Sequence, residues 1–120
     1  MVPTKKRLDA IAGINGVVAC GIFINGIPIE VTNSGSSDRF DYETLFAYAQ
    51  DLINYSQKVS EGVGSNCEFV MLEMDDKKMI VLPIEEGGVG VLTDTDVNLG
   101  MVRVAMKSAV PAFKSYLVGG

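Results

Sequence analysis

The sequence predicts an α+β fold: a single five-stranded antiparallel sheet with helices on both faces. Three observations predict it. Asn25-Gly26 lies between two β-rich runs, and Asn-Gly is a strong short hairpin signal because a type I′ turn needs positive φ at both central residues. Three further apolar runs follow one another across short polar turns, which is the pattern of an antiparallel meander. A long amphipathic stretch separates the two groups of strands. The resulting order is helix, two strands, helix, three strands, helix, in one domain spanning 1–120.

Each element has a local reason. Residues 5–12 form a short helix with Leu8, Ile11 and Ala12 on one side and Thr4 as its cap. The strand Val17–Ile24 is apolar throughout, so both its faces should be covered. The strand at 27–32 contains Pro28, which lacks a backbone donor and belongs at a sheet edge. Residues 33–39 are a polar Gly/Ser loop, expected to be the most mobile internal segment.

The longest helix is expected over 41–63, capped by Asp41 or Ser37 and ended by Gly62 and Gly64. Leu45, Ala49, Leu52, Ser56 and Val59 make one stripe on it. Tyr48 and Tyr55 make a second, with Phe46 and Ile53 at its shoulders. A helix packed on one side needs one stripe; two imply contact on two sides. Strands are then expected at 67–74, 79–84 and 89–93. Asp94-Thr95-Asp96 can cap a final helix over 97–116, which Pro111 should kink or shorten.

Composition narrows the function classes. Hydrophobic residues make up 48% and charged residues 21%, with mean hydropathy +0.26, which excludes intrinsic disorder and leaves some apolar surface for an interface. Net charge −5 and pI near 4.6 argue against nucleic acid as a partner. No apolar stretch reaches the roughly 18 residues that span a bilayer, and no signal peptide is recognisable, so no membrane insertion and a cytoplasmic location are expected.

The absence of histidine removes the usual general base, the usual zinc ligand and the imidazole triads. Cys20 and Cys67 lie in apolar runs without CxxC spacing and read as buried free thiols. The glycine-rich segments 62–64 and 87–90 lack the lysine and helix of a phosphate loop and read as turn chemistry. Residues 94–98 begin like a calcium loop, but Leu99 and Ala105 stand where that loop needs glycine and glutamate. Glu85 and Glu86 read as a solvated turn, and Lys5-Lys6-Arg7 as a solvated helix start. No catalytic constellation, metal or cofactor is expected. Charge is uneven: residues 30–76 hold ten acidic residues against Arg39 and Lys58, whereas from Met101 onward only Arg103, Lys107 and Lys114 are charged. Such asymmetry can steer a partner.

Three segments together resemble the roadblock / dynein light chain domain family. They are the opening Gly16-Val17 strand with its turn and Ile27-Pro28-Ile29, the long central helix at 41–63, and Asn98-Leu99-Gly100-Met101-Val102-Arg103 at the start of the last helix. The resemblance spans residues 4–117. It implies sheet order 2-1-5-4-3, with the central helix on one face and the terminal helices on the other. It also implies pairing of two copies through the central helix and third strand. The expected function is a non-enzymatic homodimeric adaptor that binds or regulates a Ras-like small GTPase. The dimer or partner contact would use Phe46, Tyr48, Ile53 and Tyr55 on the helix and Phe69, Val70, Met71 and Leu72 on the strand. Two alternatives stand beside it: a light-chain subunit of a motor-type complex, and a profilin-like or sensor-like domain holding a small ligand between sheet and helix.

Overall fold

The computed structural model describes residues 4–34 and 40–117. Ser37 as an alternative cap, residues 35–39 of the polar loop and residues 118–120 lie outside the described residues. The elements are α1 (Thr4–Ala12), β1 (Val17–Ile24), β2 (Ile27–Asn33), α2 (Tyr42–Gly62), β3 (Val70–Glu73), β4 (Lys77–Ile84), β5 (Gly87–Asp94) and α3 (Leu99–Leu117). All pairings are antiparallel, in the order β2-β1-β5-β4-β3. The predicted fold class and strand order are those observed.

The sheet separates two cores. On one face, α2 packs Phe46, Ala49 and Ile53 against Val18, Phe23, Met79, Val81 and Leu92. On the other, α1 and α3 pack Leu8, Ile11, Val102, Met106 and Phe113 against Cys20, Ile22, Ile80, Leu82, Val89 and Val91. The all-apolar β1 contributes to both, as a central strand covered on both sides must. The β1–β2 hairpin turns at Asn25 (φ 50°) and Gly26 (φ 81°), the double positive φ of a type I′ turn. The Gly26 N–H donates to Gln50 Oε1 at 3.2 Å, tying that turn to α2.

Asp41 caps α2: its carboxylate accepts from the Thr44 N–H at 3.2 Å and the Thr44 hydroxyl at 2.6 Å. These bonds, the hydroxyl's foremost, hold the Asp41 carboxyl below its ordinary pKa. Gly64, at φ 70°, takes the chain out of the helix.

Several local expectations are corrected. Thr4 is the first helical residue of α1 rather than its cap. The last helix starts at Leu99, and its cap is Asn98, whose Oδ1 accepts from the Met101 N–H at 3.1 Å; Asp94 instead ends β5. The helix runs on through Pro111 to Leu117. Gly87, Gly88 and Gly90 are strand residues, not turn residues. Their role is spacing: a Cβ at Gly90 would lie 3.0 Å from Phe46 Cε1, and one at Gly88 3.0 Å from Ile53 Cδ1. Gly21, paired with Gly90 across the ladder, is tighter still, with a Cβ placed 2.7 Å from Phe46 Cζ. This glycine floor lets α2 settle close to the sheet.

Candidate functional site: the α2 face and the β3 edge

Close seating of α2 decides which of its side chains are hidden. Phe46, stacked on Phe23 at 5.5 Å between ring centroids, and Ile53 are each 2% exposed. They were expected at the dimer or partner contact; the structure corrects this and makes them protomer core. The buried line is 46-49-53, rotated from the expected 45-49-52-56-59. Val59, expected on the inner stripe, is 70% exposed. Tyr48 and Tyr55 are on the outside, at 64% and 67%. Together with half-buried Leu52, they place apolar side chains at 48, 52, 55 and 59, a spacing of four, three and four that keeps them on one face. The outer face of α2 carries Glu43, Asp51 and Glu61 against Lys58, whose ammonium lies 5.7 Å from the Tyr55 ring centroid.

β3 lies beside this stripe and is an edge of the sheet. It is shorter than the strand expected at 67–74, because residues 65–69 are held elsewhere. Phe69 sits beneath the Arg103 guanidinium at 4.7 Å and near the Lys107 ammonium at 5.7 Å, and Glu68 pairs with Lys107. The Lys107 hydrogen bond and charge keep the Glu68 carboxyl below its ordinary pKa. Within β3, Val70 and Leu72 pair with Val81 and Met79 of the α2-side core. Met71 pairs with Ile80 of the other core. Side chains alternate, so Val70 and Leu72 share the α2 face while Phe69 and Met71 share the α3 face. Leu72 is 43% exposed and Met71 51%; Val70 and Phe69 are half-buried.

The eight expected contact residues therefore divide three ways. Tyr48 and Tyr55 are exposed on the outer face of α2, and Val70 and Leu72 lie on the α2 side of the edge strand. Phe69 and Met71 face the opposite side. Phe46 and Ile53 are core. Leu52 and Val59 were missed as surface residues, although their heptad-like spacing with Tyr48 and Tyr55 is readable.

The Cys20 thiol donates to the Leu8 carbonyl at 3.3 Å, and burial pushes its pKa up to about 12, an unreactive state. Cys67 is only half-buried, contrary to expectation, because it lies in the irregular segment before β3. No group of potential metal ligands occurs among the described residues, and no helix there is long and apolar enough to cross a membrane.

This architecture, one antiparallel sheet with a central helix on one side and terminal helices on the other, is that of a roadblock/LC7 domain. The chain superimposes on the Roadblock/LC7 domain from Streptomyces avermitilis with a TM-score of 0.83 and 16% identity, covering 98% of this chain and 99% of that one. It also matches Myxococcus xanthus MglB, with a TM-score of 0.82 and 15% identity over 97% of this chain and 95% of that one. In sequence it is 34% identical over 110 residues to the uncharacterized protein MJ0714 of Methanocaldococcus jannaschii, covering 91% of this chain and 89% of the relative. It is 30% identical to MJ0310 of the same organism, covering 91% and 92%. The protein belongs to one family with these archaeal proteins, and that family has the roadblock fold. No family model matches the chain.

Proposed function

We propose that the protein is a non-enzymatic homodimeric adaptor that docks a Ras-like small GTPase on its α2 face. The observation that carries this reading is the apolar strip of Tyr48, Leu52, Tyr55 and Val59, continued by Leu72 on an unpaired strand edge. An exposed helix stripe and an open edge side by side invite a twofold contact. The second copy's helix covers the stripe while its β3 extends the sheet. The partner class follows from the roadblock resemblance; the acidic, aromatic character of α2 suits a polar-rimmed docking surface.

A ligand-binding domain of the sensor type is disfavoured. The space such a domain would use, between sheet and central helix, is filled by Phe46, Ala49 and Ile53. Light scattering coupled to gel filtration tests the first half of the proposal: a dimer mass that persists on dilution is expected, and a monomer at every concentration overturns it. Pull-down from source-cell extract loaded with GDP, with GTP or with neither tests the second. Nucleotide-dependent enrichment of a P-loop GTPase is expected, and its absence in all three samples overturns the partner assignment.

A further inference from the structure

On the face of the sheet opposite α2, the β3 edge and the start of α3 enclose a groove of about 330 Å³. Its floor is Ile80, its walls are Phe69, Met71 and Leu99, and Arg103 stands at its rim. Gly100 leaves it open: a Cβ there would meet only the Asn98 side chain, at 3.3 Å. Val104, one turn on from Gly100, continues the apolar surface outward on α3 and is 68% exposed. The helix bearing this groove carries Arg103, Lys107 and Lys114 and no acidic residue.

The protein itself displays the chemistry that this surface accepts. Its own segment before β3 lies against α3 with Glu68 on Lys107 and Phe69 beneath Arg103. An acidic side chain next to an apolar one is thus a pair that the basic face of α3 accepts, and Phe69, held in this way, forms one wall of the groove. Beyond it, Met71, Leu99 and the open edge of the Arg103 guanidinium lack such a covering. We propose that this groove docks an acidic amphipathic peptide segment of a partner protein, its apolar side chains seated between Met71 and Leu99 and its carboxylates on Arg103. The groove lies within one protomer and does not require the dimer. The consequence that the protein joins two partners, one per face, rests on the function proposed above.

The test uses the full chain and three short fluorescein-labelled peptides. One has leucine along one helical face and glutamate elsewhere, one has lysine for glutamate, and one has serine for leucine. Anisotropy titration should show saturable binding of the first and at least roughly tenfold weaker binding of the other two. In the unmodified protein, the binding peptide should shift the amide resonances of Met71, Leu99 and Arg103. Arg103→Glu should weaken it roughly tenfold or more, and Ile27→Ser, on the far edge, should not. Equal binding of the lysine peptide, resonance shifts confined to α2, or an unaltered affinity in Arg103→Glu each overturn the proposal. So does loss of self-association in Arg103→Glu, which would make a second copy the occupant. Failure of the GTPase assignment would show in the pull-down alone and leave this titration intact.

Discussion

On one edge of the sheet, β2 carries Pro28, a shift of register opposite Ile22 and Phe23, and Glu30. Its far end is clasped by α1, where Lys5 donates to Asp9 and Thr32 at 3.1 and 2.8 Å and Thr32 donates to Asp9 at 3.1 Å. On the other edge, β3 is four residues of regular pairing without proline or shift of register. Apolar exposure does not separate the two, since Ile27 of β2 is as bare as Tyr48 or Tyr55. What separates them is the backbone: β2 offers an interrupted row of donors and acceptors, β3 an uninterrupted one. An exposed isoleucine on a spoiled edge is surface; an exposed leucine on an intact edge beside a tyrosine stripe is an invitation to pair.

The largest expected effect breaks this comparison at β3. If the proposed homodimer forms through this edge, Leu72→Glu or Tyr55→Asp should weaken it by about 3 kcal/mol, on the order of a hundredfold in Kd. Ile27→Glu on β2 should leave it unchanged. Light scattering across a dilution series reads both, and equal effects at the two edges would contradict the distinction. Next in size, Gly21→Ala strikes the glycine floor beneath α2. The added Cβ meets Phe46, and the loss should be about 2 kcal/mol in urea unfolding, at constant protein concentration so that association does not mask it.

A smaller effect sharpens the comparison from the β2 side. Pro28→Val with Glu30→Val restores donors and removes the charge, so species larger than the dimer should appear in light scattering on warming. Smallest is a pH effect at the approach to β3. The Glu68 carboxyl titrates below its ordinary value of 4.5 because of Lys107. Its contribution is therefore complete above that value and is lost as pH falls through the lowered one. Glu68→Gln should differ slightly from the parent in urea midpoint at neutral pH, and the difference should shrink as the solution is acidified below 4.5.

Much of this architecture was legible in the residues. Asn25-Gly26 announced the hairpin, Pro28 an edge, the unbroken apolar run of β1 a central strand, and Gly64 the end of α2. Two features were not. The first was the rotation of α2, because which of two stripes faces inward depends on how near the helix can come. That depends on glycines at 21, 88 and 90, far away in sequence. The 46-49-53 spacing was itself a valid inner line, but no rule of periodicity ranks it above 45-49-52. The second was the length of β3. Residues 67–69 have strand-forming character, yet Arg103 and Lys107 capture Phe69 and Glu68 from α3, and long-range contact prevails over local preference. Of the contact residues, those exposed by simple alternation were found, and those whose exposure depends on helix depth were not.

The two cores share a sheet but few side chains, and this has an evolutionary consequence. Substitutions on opposite sides of a rigid partition, well separated and without common neighbours, combine nearly additively. Lineages descended from this chain can therefore remodel the tyrosine-bearing side without disturbing the α3 side, and the reverse. The partition works as an insulator, permitting one half to explore new associations while the other stays loyal to its own.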